Sequence, residues 1–381
     1  MIKKQDGFTL VELMITMVIF VLTIAAASQI FTSLLTQFKQ QSKIAETNIE
    51  GIVGLELLRY DIEQAGYGLP FELVYNLEGV NYNEASTAPA SDYNDAPNSP
   101  RALVSGDGAG VYGSDVLVIK SLNVATSATA RQWSYITNDG ALNLDPVVWD
   151  NQEENLAVDS RVIVIQPISG GDVRVLVHGA GNQFFTTFKD TSAAFDDAFE
   201  PGTGTNETFL IYGVAPEDNE VALRMPFNRA DYYIAVDNTP TRCAPNTGVL
   251  VKSIIQQADG ERGPGMPLLD CVADMQVVYG LDNNDLTPGI DVYQSDILML
   301  NAEEVRTQVD EVRVYILAHE GQLDNSYTWA GADDPVINIT DPDVGVLNAF
   351  DLSENIDATT YRHYRWRIYT LILKPYNLIE R

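Results

Sequence analysis

Residues 7–38 read Gly7-Phe8-Thr9-Leu10-Val11-Glu12-Leu13 and then MITMVIFVLTIAAASQIFTSLLTQF, and this stretch decides the fold. From Phe8 to Phe38 there is a single ionisable side chain, Glu12, and no glycine or proline. A helix rises about 1.5 Å per residue, so Leu13 to Leu35 alone crosses a hydrocarbon core of about 30 Å. Lys3 and Lys4 precede it and favour an N-terminus that stays cytoplasmic, with the rest of the chain on the far side. A cleaved secretory peptide is a poor fit. Its apolar region is shorter and ends at small residues, whereas here the chain stays apolar beyond Ala25-Ala26-Ala27-Ser28. A carboxylate near the start of a spanning helix is costly, which makes Glu12 a functional candidate.

Past Phe38 the chain becomes amphipathic. Lys39, Lys43, Glu46 and Glu50 fall on polar positions, and Ile52, Leu55, Leu58 and Ile62 form an apolar stripe at steps of three and four. Arg59 and Glu63 are spaced to pair. Gly66, Gly68 and Pro70 stop the helix, which is expected to run from Phe8 to about Ala65. Gly51 and Gly54 each cost about 1 kcal/mol in a helix interior. Close packing against the rest of the chain accounts for them better than a hinge does.

The remaining chain is strand-rich and acidic. Short Val, Ile and Tyr runs bounded by Gly, Asn, Asp and Pro predict strands at 116–119, 162–165, 173–177, 209–212, 232–236, 249–255, 275–279, 312–318 and 367–373. The second and third of these form a hairpin through Ser169-Gly170-Gly171-Asp172. Residues 76–101, with Pro89, Pro97 and Pro100 among Ser, Asn and Asp, read as a long mobile loop. With 53 acidic against 23 basic residues the net charge is −30, which opposes binding to phosphate backbones or anionic membrane surfaces.

The segment Lys3-Lys4-Gln5-Asp6-Gly7-Phe8-Thr9-Leu10-Val11-Glu12-Leu13 resembles the class III leader of type IV prepilins and type II secretion pseudopilins. The resemblance implies cleavage after Gly7 by a prepilin peptidase and methylation of the new Phe8 amine. It also implies that Glu12 meets the Phe8 amine of a neighbouring subunit during filament assembly. Gly7 leaves the scissile backbone open to close approach. Residues 57–68, Leu57-Leu58-Arg59-Tyr60-Asp61-Ile62-Glu63-Gln64-Ala65-Gly66-Tyr67-Gly68, look like the helix end of PilW-like minor pilins. J-type pseudopilins share a related Arg–Asp pair there. Residues 270–282 and 309–316 resemble strands of the PilW-like group, and 362–373 resemble its closing strand. Residues 76–249 match nothing in it.

Cys243 and Cys271 fall in the part expected to face an oxidising compartment, so a structural disulfide is expected, worth about 3–4 kcal/mol. The loop containing Asp282, Asn284, Asp285 and Asp291 is a weak calcium candidate. Leu286 and Thr287 stand where an EF-hand-type loop needs an oxygen ligand and Gly, so a solvated turn explains it better. Asp341 and Asp343 are a weaker pair still. The basic aromatic run Arg362-His363-Tyr364-Arg365-Trp366-Arg367 reads as an alternating terminal strand before a nucleic-acid platform. No nucleophile elbow, phosphate loop or zinc-protease motif is present.

These readings converge on an α+β chain: a long N-terminal transmembrane and assembly helix followed by a large β-rich globular head. Residues 1–7 are the leader, 8–66 the helix and 67–381 the head, with 76–249 an elaborated insert. The resemblance implies a minor pilin of the PilW-like group that primes or tips a type IV pilus. It would start as a single-pass inner-membrane protein with a periplasmic head and end on the cell surface. Major and other minor pilins, the prepilin peptidase and the inner-membrane assembly platform are the implied partners. Neither nucleic acid, enzymatic activity nor a cofactor is expected. A type II secretion pseudopilin and a pilus-displayed adhesin are the alternatives.

Overall fold

The computed structural model of the chain describes residues 9–75, 78–138, 145–168, 173–191, 195–202, 207–217, 222–283 and 289–378. One helix, Leu10–Glu63, runs 54 residues, or about 81 Å. Thr9 caps its start, and Gln64 caps its end just before Gly66 and Gly68, both in the left-handed backbone region that glycine tolerates.

The head is built on an eight-stranded antiparallel sheet. In spatial order its strands are Arg365–Leu373, Val309–Glu320, Met266–Leu281, Gly248–Ile254, Asn228–Ala235, Val116–Ser121 and Leu103–Gly106, with Val292–Gln294 added beside Met266–Leu281. A second, five-stranded sheet orders Trp133–Asn138, Glu207–Ala215, Arg161–Ile168 and Val173–Val177, with Thr186–Thr187 paired to Arg161–Ile168. It has its own core of Ile136, Val162, Val164, Phe199, Phe209 and Ile211. All nine expected strands form. The hairpin pairs Ile168 with Val173, while its turn, residues 169–172, lies outside the described residues. Segment 76–249 supplies three strands of the larger sheet and every strand of the smaller one.

The end of the helix lies on one face of the larger sheet, where Leu55, Leu58 and Ile62 join Leu268, Val277, Val314 and Ile316 in the main core. A hairpin of Val336–Asp341 and Gly345–Asp351 covers part of the opposite face with Ile339 and Phe350. Residues 78–101 are docked, contrary to the mobile-loop expectation for 76–101, whose first two residues lie outside the described residues. Tyr82, Glu84, Ala90, Tyr93 and Asp95 are buried, and a short 3-10 turn, Ala90–Tyr93, sits against Val104, Val116 and Val118. Turn-forming composition marks where the chain bends but says nothing of what lies under it.

Candidate functional site

The first candidate site is the start of the helix. Glu12 and Thr9 form a capping box: the Glu12 carboxylate accepts from the Thr9 backbone N–H at 3.0 Å and from the Thr9 hydroxyl at 2.8 Å. The Glu12 N–H returns a bond to Thr9 Oγ1 at 3.2 Å. Glu12 therefore satisfies helix-end donors within its own chain, a role legible from the Thr-x-x-Glu spacing but not assigned above. Gly7 and Phe8 lie outside the described residues. From Leu10 onward the apolar side chains face outward all round the first half of the helix: Leu10 is 76% exposed, Phe20 65% and Phe31 62%. The helix is long and apolar enough to cross a membrane. A surface this apolar on every side needs a cover from outside the chain.

Where the helix meets the head, its packing face is shifted from the expected stripe. Leu55, Leu58 and Ile62 are buried as expected, but Ile52 points away with Ile49 and Val53. Gly51 and Gly54 take the inward positions instead. A Cβ on Gly54 would come within 1.8 Å of the Leu268 carbonyl oxygen, and one on Gly51 within 2.9 Å of Leu269 Cδ1. The close-packing reading of Gly54 thus holds at the level of backbone against backbone. Ile52 was misassigned because hydrophobic spacing cannot count a glycine as part of a buried face.

Asp61 pins this contact. It is buried, pairs with Lys252 at 2.6 Å, and accepts a hydrogen bond from the Tyr232 hydroxyl. Burial pushes the Asp61 carboxyl up and the Lys252 amine down from their ordinary values, each opposed by the attraction of the other. The expected Arg59–Glu63 pair forms at 3.7 Å on the exposed side, where such pairs contribute little.

A second buried charge cluster went unread in the sequence. Lys120 and Arg229 are fully buried beneath residues 81–101. Lys120 contacts Glu84 at 2.7 Å and Asp95 at 2.6 Å, and Arg229 contacts Asp231 at 2.8 Å and Glu84 at 3.1 Å. Arg101 holds Asp95 at 2.6 Å, and Arg262 holds Asp231 at 2.9 Å. Burial raises the Asp95 carboxyl, but Lys120 and Arg101 outweigh it and hold the group below its ordinary value. The available signal was charge inside strands: Lys120 interrupts VLVIKS, and Arg229 and Asp231 share one face of NRADYYIA.

Cys243 and Cys271 form the expected disulfide. His319, remote in sequence, brings a ring nitrogen within 4.8 Å of both sulfurs. Its Nε2 accepts from the Ala244 N–H at 2.8 Å, and burial pushes it down to about 3, so the ring is neutral at any physiological pH. Its face packs on Tyr364 at 4.5 Å and on the edge of Trp366 at 5.2 Å. The aromatic half of the 362–367 run is therefore buried. Arg365 pairs with Asp324 at 2.7 Å and Arg367 with Glu320 at 2.9 Å.

Of the calcium candidates, Asp282 is buried and accepts from the Gly289 N–H at 3.0 Å, and Asp291 is exposed. Asn284 and Asp285 lie outside the described residues. Asp341 and Asp343 hold the Arg313 guanidinium, at 3.0 and 2.7 Å, where a metal would have to sit.

The family model for the prokaryotic N-terminal methylation motif matches residues 2–28. No curated protein and no solved structure matches the chain. The matched residues cover the leader and the start of the exposed helix, so the chain has the N-terminus of a type IV pilin-like protein.

Proposed function

From a pilin-type N-terminus on a β-rich head, we propose a non-enzymatic minor pilin that enters a type IV pilus through its helix and serves at the tip or in priming. The observation that carries the reading is the division of one helix. Its first half is apolar and uncovered all round, and its last turns are locked to the head by Gly54, Leu58, Asp61 and Ile62. A membrane covers the first half before assembly, and the helices of neighbouring pilins cover it afterwards. Exposed Ile49, Ile52 and Val53 extend that surface along the side facing away from the head. The periplasmic head and the final surface location follow from this insertion.

Prepilin peptidase would cut after Gly7 and leave Phe8 as the methylated N-terminus, removing seven of the 381 residues. Glu12 would then give up its Thr9 bonds for the Phe8 amine of a neighbour, a charged partner that offsets the cost of burying a carboxylate among helices. The reading invokes no cofactor and no reaction. Each of the three histidine rings is engaged by a backbone group.

The smaller sheet, with its separate core, favours display of an adhesive surface as a second role. Its other face, with Ile163, Ile165, Leu176 and Val214, belongs to the main core, so substitutions at its exposed positions, such as Thr137 and Ile168, would separate the two roles without disturbing the fold. Membership in a type II secretion system would show as lost exoprotein release with pili intact. The direct test is mass spectrometry of the N-terminal peptide from cells with and without the peptidase. A chain starting at N-methyl Phe8 only when the peptidase is present is the expected result, and an uncut Met1 start in both would overturn the proposal.

A further inference from the structure

The buried cluster under residues 81–101 holds more than compensated charge. Lys120 Nζ, in the strand Val116–Ser121, touches two carboxylates from the docked segment, Asp95 Oδ2 at 2.6 Å and Glu84 Oε2 at 2.7 Å. The Lys120 and Glu84 side chains are fully buried and that of Asp95 is 5% exposed. Part of the wall is aromatic, with Nζ 5.7 Å from the Phe227 ring centroid and Tyr82 edge-on against Phe227 at 5.5 Å. The rest is polar: Nζ donates to the Tyr93 carbonyl at 3.2 Å, the Arg101 backbone N–H donates to Asp95 Oδ2 at 2.7 Å, and Arg229 lies 3.1 Å from Glu84 Oε2. Water is excluded from an amine, a carboxyl carbon and a second carboxylate held in fixed contact.

An ion pair costs desolvation of both partners in such a place. Burial works against charge here while Lys120 and Arg101 hold the Asp95 carboxyl below its ordinary value, and passing one proton from the Lys120 nitrogen to the carboxylate is the step that turns the pair into an amine beside an acid. Those two forms are also a nucleophile and its electrophile, already in contact, so no encounter entropy remains to be lost.

We propose that Lys120 and Asp95 condense to an intramolecular isopeptide bond, with Glu84 acting as the proton carrier. The Lys120 Nζ lone pair forms a bond to Asp95 Cγ. Glu84 takes a proton from the nitrogen and delivers it to the departing oxygen, Oδ2. The Cγ–Oδ2 bond breaks and one water leaves. Ammonium and carboxylate become amide and water, so atoms and charge balance and neither oxidant nor reductant is needed. Two further contacts suit the step. Arg101 Nε donates to Asp95 Oδ1 at 2.6 Å, placing a cation on the oxygen that gains charge in the tetrahedral intermediate. The Asp95 N–H donates to Glu84 Oε1 at 2.6 Å, which fixes the carrier relative to the reacting carbon.

The bond would tie the docked segment covalently to the next-to-last strand of the larger sheet, so that neither could peel from the other under load. The other buried pair, Asp61 with Lys252, is equally close at 2.6 Å but faces the Tyr232 hydroxyl where the first faces a second carboxylate. It is the internal control.

The test is tandem mass spectrometry of the full chain, purified in detergent, reduced and digested with trypsin. The expected result is a branched peptide joining Asp95 to Lys120, lighter than its two parts by one water, with no cleavage after Lys120 and none of this at Lys252. Lys120→Arg keeps the cation and should abolish the water loss. Glu84→Gln keeps the shape and should leave most of the chain unjoined, with folding checked by thermal melting. Cleavage after Lys120 in the unfolded wild-type chain, at full mass, would overturn the proposal without any variant. A water loss that persists in Lys120→Arg would do the same.

Discussion

The first half of the helix and the floor beneath residues 81–101 are inverted with respect to each other. One turns Leu10, Phe20 and Phe31 outward, and the other buries Lys120 and Arg229 completely. Apolar groups outside and charges inside both contradict the simple partition of residues between surface and core. Each exception has its own remedy. The buried charges are satisfied within the chain by Glu84, Asp95 and Asp231, so the head is self-sufficient. Among the described residues the exposed apolar surface has no such partner, so the helix needs a cover from outside the chain, which the proposed function takes to be a membrane and then neighbouring subunits. Self-sufficiency ends at about Gln40 to Ile44, where the helix first touches the head at Leu323 and Gly321, ahead of the close contact of Gly51 and Gly54 with Leu269 and Leu268.

The comparison can be broken most severely at Asp61. Asp61→Ala leaves Lys252 buried without its partner and should cost about 3–5 kcal/mol in chemical denaturation of the head. A loss below about 1 kcal/mol would mean that Lys252 finds water, and that the helix end is not firmly seated. Replacing Cys243 and Cys271 by Ser should cost about 3 kcal/mol, read from the same denaturation curves.

Gly54→Ala and Gly51→Ala sharpen the boundary between the two regions. The first meets the Leu268 backbone and should destabilise by about 1–3 kcal/mol. The second meets only the tip of Leu269, which can shift. The helix-propensity gain of about 1 kcal/mol should then leave it neutral or stabilising. Equal losses would show that the packing face is not where Gly54 puts it.

The smallest effect concerns pH. Burial pushes Asp115 up to about 7 and Asp274 up to about 6. Both bind their proton more tightly folded than unfolded. Their contribution is full below the ordinary carboxylate range and is lost as pH rises through about 6 and 7. The head should therefore melt a few degrees higher at pH 5.5 than at pH 7.5, and Asp115→Asn should flatten that difference. A melting temperature that rises with pH over this window would contradict the assignment.

Much of the fold was legible because it rests on local pattern. The absence of charge from Phe8 to Phe38 apart from Glu12, and the Gly66–Pro70 stop, place the helix to within two residues at each end. Val- and Ile-rich runs mark the cores of nine strands. Leu103–Gly106 and Trp133–Asn138 were not legible, being short or alternating weakly with Ser, Thr and Asn. The seat of the helix was half legible: Leu55, Leu58 and Ile62 announce it, whereas Gly51 and Gly54 carry no hydrophobic signal. What brings His319 to the disulfide, or Glu84 and Asp95 to Lys120, is pairing between segments distant in sequence. No local composition records that.

The central claim is that the exposed half of the helix is an assembly surface keyed by Glu12. Its most direct test is to shear filaments from cells expressing either the wild-type chain or Glu12→Ala and to quantify the chain in filament and membrane fractions. The account expects Glu12→Ala at wild-type levels in membranes, with its leader removed, and absent from sheared filaments. Equal amounts of wild type and Glu12→Ala in the filaments would contradict it.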